Sequence, residues 1–128
     1  MDLNQLSSKI IGAAIEVHKT LGPGLLESTY EECLCHELDL QGLKYDRQIN
    51  LPVHYKDKKL DCGYRIDIIV ERLIILELKA VDAILPIHKA QLITYLKLSN
   101  LQLGLLLNFN ISLMRDGIHR IVNKLKKD

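Results

Sequence analysis

The sequence predicts an α/β fold with the element order ααβββαβ. Apolar side chains recur at helical spacing up to residue 40, and residues 45–79 are rich in β-branched and apolar strand formers. A further helical segment then precedes a last apolar run. The length of 128 residues is typical of one domain with a core of its own, so we expect a single domain over residues 1–128.

Two helices are predicted at the start of the chain. The first covers Leu3 to Leu21 and the second covers Leu25 to Leu40. Gly22-Pro23-Gly24 turns the chain between them, and Gly42 stops the second helix because glycine is favoured just beyond a helix end. The segment is therefore predicted to form a helical pair.

Strands dominate the predicted middle of the chain. The three strands are Tyr45 to Tyr55, Lys59 to Val70 and Leu73 to Lys79, with a turn at Lys56-Asp57-Lys58. A helix begins at Pro86, which suits a first helical turn, and ends near Leu98. A buried strand over Leu103 to Phe109, a turn over Met114 to Ile118 and a short final strand follow, and the tail from Lys124 to Asp128 is expected to fray.

The composition is that of an ordinary globular protein, with a net charge of +1 and 48% hydrophobic residues. Nucleic-acid contact would therefore have to come from a local basic surface. The basic clusters are Lys44, Arg47, Lys56, Lys58 and Lys59, and at the tail Lys124, Lys126 and Lys127. Such clusters are more often solvated faces than phosphate sites. With no apolar run of about 18 residues and no signal-peptide pattern at the start, we expect no membrane association and a cytoplasmic location.

Three cysteines give an odd count, and Cys33 and Cys35 are separated by one residue. A zinc site with His36 and His54 is conceivable, but the paired C-x-x-C spacing of zinc sites is absent. Buried free thiols are the favoured interpretation.

Two charged residues interrupt the apolar strand from Leu73 to Ala80. Glu77 and Lys79 share one face because side chains alternate along a strand. Asp67 lies in the preceding strand-like run, so the three side chains are predicted to form one polar cluster. Two carboxylates and a lysine suit a magnesium-dependent phosphodiesterase, whereas the alternative is a buried ion pair between Glu77 and Lys79.

The connection between these two strands decides whether the cluster forms. If Glu71 and Arg72 were a two-residue hairpin loop, Asp67 would pair with Leu76 and lie on the face opposite Glu77. A three-residue loop or a bulge would pair Asp67 directly with Glu77. The active-site hypothesis therefore predicts an irregular connection here.

The order of these residues resembles that of the PD-(D/E)XK nuclease superfamily, with Asp67 followed by Glu77-Leu78-Lys79 on the next strand. Gly24-Leu25-Leu26-Glu27-Ser28-Thr29-Tyr30 further resembles the motif that names the GxxExxY family, which is grouped within that superfamily. Ile66 stands where the superfamily name has proline. The resemblance implies a restriction-endonuclease-like mixed β-sheet flanked by helices.

The resemblance also implies roles for the central residues. Asp67 and Glu77 would bind Mg²⁺ or Mn²⁺, together with the carbonyl of Leu78. Lys79 would position or deprotonate the attacking water, or stabilise charge on the phosphate.

Residues from two helices would join them. The resemblance implies that Glu27 leans toward the metal, with Tyr30 packed or hydrogen-bonded beside it; a carboxylate favoured at a helix start is the alternative. Gln91 and Tyr95 match a Q-x-x-x-Y pattern of exonuclease-like members, and Gln91 would contact metal-bound water or the nucleic-acid backbone. For His88 a surface role is favoured over chemistry.

The function expected from the sequence is metal-dependent hydrolysis of phosphodiester bonds, with DNA favoured as the substrate by resemblance alone. The alternative is an inactive nuclease-fold module that acts as a nucleic-acid-binding or protein-interaction subunit, and a different phosphate ester is a third possibility. Because a domain of this size is small for embracing a duplex, a homodimer or a partner subunit is also expected.

Overall fold

The computed structural model describes residues 1–124 and has the α/β architecture that the sequence predicts. Two helices come first, α1 (Leu3–Leu21) and α2 (Glu27–Leu40). Five strands follow, which are β1 (Tyr45–Asn50), β2 (Val53–Tyr55), β3 (Lys58–Leu60), β4 (Arg65–Val70) and β5 (Ile74–Lys79). The last elements are α3 (Pro86–Ser99), β6 (Leu103–Asn108), a short 3₁₀ helix (Met114–Gly117) and β7 (Ile118–Val122).

Five of the strands form one mixed sheet in the order β1-β4-β5-β6-β7. Neighbours are antiparallel except β5 and β6, which are parallel and are joined by α3 as a crossover helix. The other two strands, β2 and β3, pair only with each other. They form an arm, residues 51–64, that extends the β1–β4 hairpin beyond the sheet.

Helices cover both faces of the sheet, which explains why β5 and β6 are apolar on both sides. The larger core lies between the sheet and the α1–α2 pair, and it includes Leu34 of α2 and Leu76 of β5. The smaller core lies under α3, where Leu92 and Leu96 pack on Ile75 and other sheet residues. Burial of apolar surface in these two cores, which contributes about 25 cal/mol per Å² removed from water, holds the helices to the sheet.

The prediction of two long, unbroken strands in the middle of the chain was wrong. Pro52 separates β1 from β2, because proline has no N–H to donate to a sheet. Gly63, with φ of +77°, lies in the segment that separates β3 from β4. The predicted turn lies where expected, between β2 and β3.

The cysteines, the tail and the length of the helices were also predicted from the sequence. The prediction that all three thiols are buried was wrong for Cys62, which is exposed, whereas Cys35 is buried and Cys33 is half-buried. The fraying expected for the tail falls almost wholly on residues 125–128, outside the described part of the chain. Over residues 1–124, no helix combines the length and the apolar character needed to cross a bilayer.

Candidate active site

The β4–β5 connection is irregular, as the active-site hypothesis predicted. Val70 pairs with Ile74 and Ile68 pairs with Leu76, which leaves a three-residue loop from Glu71 to Leu73. Glu71 and Arg72 have φ of +52° and +55°, a conformation that costs non-glycine residues about 1–2 kcal/mol each. The same register places Asp67 opposite Glu77, on one face of the sheet.

The regular ladder between β4 and β5 ends just before the two carboxylates. Its last pair is Ile68 with Leu76, and beyond it side-chain oxygens replace backbone carbonyls as acceptors. Asp67 N–H donates to Glu77 Oε1 at 3.2 Å, and Leu78 N–H donates to Asp67 Oδ2 at 2.9 Å. Each carboxylate is thereby oriented by the backbone of the opposite strand.

The hairpin is also distorted on the other side of Asp67. Ile68 packs in the core under α1 and α2, yet Ile66, two residues earlier, packs under α3. A regular strand would place both on one face. Gln48, the β1 residue at the level of Asp67, has φ of +51°, and its neighbours Arg47 and Ile49 also contact different layers. The regular alternation of side chains between the two faces of the sheet is therefore interrupted in β1 and β4 at the level of Asp67.

A cavity of about 270 Å³ opens at this distortion. Six of the sequence-predicted residues line it, namely Glu27, Asp67, Glu77, Lys79, Gln91 and Tyr95. Its wall also includes Gln48, Gly63, Tyr64 and Arg65, which the sequence analysis did not select. The residues come from α2, β1, the 51–64 arm, β4, β5 and α3, so five elements of the fold and the arm meet at the cavity.

The carboxyl groups of this cavity crowd one another. Burial and the nearby Asp67 charge raise the pKa of Glu77 to about 8. Burial also raises the pKa of Asp67, against the opposing effect of the Leu78 N–H. The pKa of Glu27 is raised by burial and by the Asp67 charge, and the Lys79 ammonium acts in the opposite direction. The site is therefore short of positive charge.

Lys79 lies half-buried on the cavity wall. Among residues 1–124 the ion pairs within 4.0 Å are Arg47 with Glu31, Arg47 with Glu32, and Arg115 with Asp116. The alternative interpretation, a close ion pair between Glu77 and Lys79, is thus not what the structure contains. The chain beyond Lys79 is fixed by Asn108, whose side-chain amide bonds to both the N–H and the C=O of Val81.

A buried glutamate that the sequence analysis missed lies behind the cavity. Glu31, one turn after Glu27 on α2, is 8% exposed and accepts from Arg47 at 2.7 Å and from Gln48 at 2.8 Å. Its charge also raises the pKa of Asp67 and of Glu27. The four-residue spacing from Glu27 was the available signal, because it places both side chains on one helical face. Arg47, which the sequence placed in a basic cluster, is bonded to Glu31 and Glu32.

Tyr30 does not line the cavity. Its ring is fully buried and stacks on Phe109 with centroids 4.6 Å apart. Its hydroxyl donates to the Gly22 carbonyl at 2.7 Å and accepts from Leu25 N–H at 3.1 Å. Tyr30 therefore holds the turn that precedes Glu27 through packing and hydrogen bonds, and its supporting role at the site stays a prediction.

Of the α3 residues selected from the sequence, two lie at the cavity and one caps the helix. Gln91 and Tyr95 line the cavity, and burial raises the pKa of the Tyr95 hydroxyl, with the Glu77 charge adding to the effect. The Tyr95 ring also meets the Tyr64 ring edge-on at 6.3 Å. His88 accepts from Leu85 N–H at 3.0 Å and so caps α3, which agrees with the favoured non-chemical role.

The donor set suits a hard divalent cation. Within residues 1–124, no three His, Cys, Asp or Glu side chains form a group that would hold a metal unaided. Magnesium, however, commonly binds proteins through one or two carboxylates and takes its other oxygens from water and substrate phosphates. Asp67 and Glu77 provide such a pair, with Glu27 on the same cavity wall. The Leu78 side chain lies in the core, and ligation by its carbonyl stays a prediction.

Comparison with known proteins places this fold and site in a family. The model of the PD-(D/E)XK nuclease superfamily matches residues 4–121, which is nearly the whole chain. The chain therefore belongs to the PD-(D/E)XK nuclease superfamily, and its helix-flanked mixed sheet has the restriction-endonuclease-like fold. No significant match was found among curated proteins or among solved structures.

Proposed function

We propose that this protein is a nuclease that hydrolyses phosphodiester bonds of nucleic acid, with DNA as the substrate, in the presence of Mg²⁺ or Mn²⁺. The observation that supports this most directly is the cavity that Asp67, Glu77, Lys79 and Glu27 line together. The site supports the reaction class, and DNA as the polymer rests on the superfamily.

Asp67 and Glu77 are the proposed metal ligands, with Glu27 and the Leu78 carbonyl as further oxygens. Burial raises their pKa values most and neighbouring carboxylates raise them further, and a dication would relieve this repulsion. When bound, the ion would polarise the scissile phosphate and lower the pKa of a water molecule.

Lys79 and Arg65 are the cations of the cavity wall. Lys79 holds its ammonium beside the carboxylates, where it can orient the attacking water and offset charge that develops on the phosphate. Gln91 carries an amide that can donate to a phosphate oxygen or orient the water, and Tyr95 lines the cavity one helical turn later.

We also propose that the chain falls in the GxxExxY group of the superfamily. The glutamate and the tyrosine of the motif have separate tasks in the structure. Tyr30 fixes the Gly22–Leu25 turn, and Glu27 projects from the first turn of α2 into the cavity. The motif thus combines a scaffold residue with a candidate ligand.

The test is a cleavage assay with Mg²⁺, Mn²⁺ or EDTA on duplex, single-stranded and branched DNA and RNA. Glu77→Gln is expected to abolish cleavage, because it removes a ligand charge while preserving side-chain shape. Glu71→Gln is the matched control, since this glutamate lies in the loop at the other end of β5. The control should retain the wild-type rate.

Each outcome has a definite meaning. Metal-dependent cleavage that Glu77→Gln loses and Glu71→Gln keeps supports the proposal. Equal cleavage by both variants would point to a contaminating nuclease. A folded protein that neither cleaves nor binds metal by calorimetry would refute the nuclease and favour the interaction module.

A further inference from the structure

A second cavity adjoins the candidate active site. It is a groove of about 500 Å³ between α3 and the 51–64 arm, within the size range of about 300–1,000 Å³ for small-molecule sites. Val53 forms its arm side, and Ile87, Ala90 and Leu98 are among the α3 residues that line it. We call it the α3 groove.

The α3 groove and the active-site cavity share part of their walls. Tyr64, Gln91 and Tyr95 line both of them. The two spaces nevertheless differ in chemistry. The active-site cavity is lined by Asp, Glu, Lys and Arg side chains, whereas the α3 groove is lined by none of these.

This division matches the two ends of a nucleotide. The phosphate is charged and suits the cavity beside Lys79 and Arg65, whereas the base is a flat aromatic ring that suits an uncharged groove. Two of the five tyrosines of the chain meet at the junction, and Tyr64 is 42% exposed, so its ring is open to stacking. His88 Nδ1 accepts from Leu85 N–H, which leaves Nε2 as the donor in the neutral ring, available to a base.

We propose that the α3 groove binds an unpaired nucleobase next to the scissile phosphate. A base within a regular duplex is stacked and cannot enter such a groove, so the substrate is nucleic acid with an unpaired or extruded nucleotide at the cleavage site. This inference rests on the proposed function for the position of the phosphate, but its test measures binding and does not need cleavage.

The experiment compares three short labelled DNA duplexes by fluorescence anisotropy, with Ca²⁺ in place of Mg²⁺. One is fully paired, one carries a single bulged thymidine, and one carries an abasic bulge at the same place. The wild type should bind the thymidine bulge about tenfold more tightly than the abasic bulge, which is a modest effect for base–aromatic stacking.

A matched pair of variants locates the effect. Ala90→Trp fills the α3 groove from an exposed position and should remove the tenfold preference. Ser8→Trp makes a similar change at an exposed position of α1 and should preserve the preference. Circular dichroism checks the fold of both, and Thr94→Phe replaces Ala90→Trp if that variant does not fold.

The outcomes separate the inference from the proposed function. Equal affinity for the thymidine and abasic bulges overturns the inference, even if the enzyme cleaves DNA. A base preference without any cleavage or metal binding upholds the inference and refutes the nuclease. If Ala90→Trp keeps the base preference but converts a dimer to a monomer in light scattering, the groove holds a second copy of the chain and the inference is wrong.

Discussion

Glu77 holds its proton up to about pH 8, because burial and the Asp67 carboxylate disfavour its charge. In the unfolded chain this proton is lost near the ordinary pKa of 4.5. Between these two values the folded protein binds more protons than the unfolded chain does, so folding stability must fall as pH rises. The Asp67 pKa is shifted in the same direction.

Metal-free protein should therefore lose stability from about pH 4.5 to about pH 8, by at most on the order of 1 kcal/mol per pH unit. Urea denaturation in EDTA at several pH values measures this slope. Glu77→Gln should flatten it, with a smaller slope left from Asp67. Mg²⁺ should stabilise the wild type more at pH 8 than at pH 5, since protons compete with the ion. Parallel curves for wild type and Glu77→Gln would contradict the charge assignment.

Gly117 packs closely against Asn108, the residue that fixes the chain after β5. A Cβ at this position would lie 2.1 Å from the backbone oxygen of Asn108, the residue whose side chain fixes Val81 after β5. Gly117→Ala should therefore destabilise the protein by about 3 kcal/mol, because the clash is with backbone and not with a flexible side chain.

The matched control is Gly12→Ala in α1, where a Cβ would meet nothing within 4 Å. It should stabilise the protein by about 0.5–1 kcal/mol, because alanine is the better helix former. Urea denaturation of the two variants gives both numbers. A neutral Gly117→Ala would show that the Met114–Gly117 turn can shift without cost.

At the scale of elements, the contact between α2 and β1 depends on one cation. Arg47 bonds to Glu31 through both Nε and Nη2, and Glu31 in turn holds Gln48 in the distorted part of β1. The Glu31 side chain is 10% exposed, so without Arg47 its charge would be buried without a countercharge.

Arg47→Ala should destabilise the protein by about 1.5–3 kcal/mol, which is the range for hydrogen bonds to charged groups. Arg115→Ala is the control, because its ion pair with Asp116 is long and solvent-exposed and should contribute almost nothing. Thermal or urea denaturation decides the comparison. Adding Glu31→Gln to Arg47→Ala should recover part of the loss, and no recovery would argue against a buried charge as the cause.

The sequence predicted those elements whose pattern is local. The helical spacing of α1 and the E-x-K triplet on β5 are both visible within a few residues, and so is the shared face of Glu77 and Lys79. The break between β1 and β2 was readable at Pro52 but was overlooked. Glu31 had a local signal in its four-residue spacing from Glu27, which was also overlooked. Gln48 had none, since its role depends on which strand pairs with β4 and on its left-handed backbone.

At the scale of the whole molecule, the candidate active-site cavity lies near β1, which with β7 is an edge strand of the sheet. A domain of this size covers only part of a duplex, so a second copy would complete the enclosure. We expect a homodimer. Light scattering should give twice the mass of the chain, and a strict monomer with full nuclease activity would contradict this expectation.

The three-residue loop between β4 and β5 also constrains how this family can diverge. Asp67 and Glu77 lie on one face of the sheet only because a three-residue loop sets the register that pairs them. A relative that gains one residue in the loop would have to gain or lose another before its glutamate, or acquire a bulge, to keep the pair together. Single-residue length changes in this hairpin should therefore be rare among active relatives, while residues 54–62 of the arm, which line neither cavity, are free to vary in length.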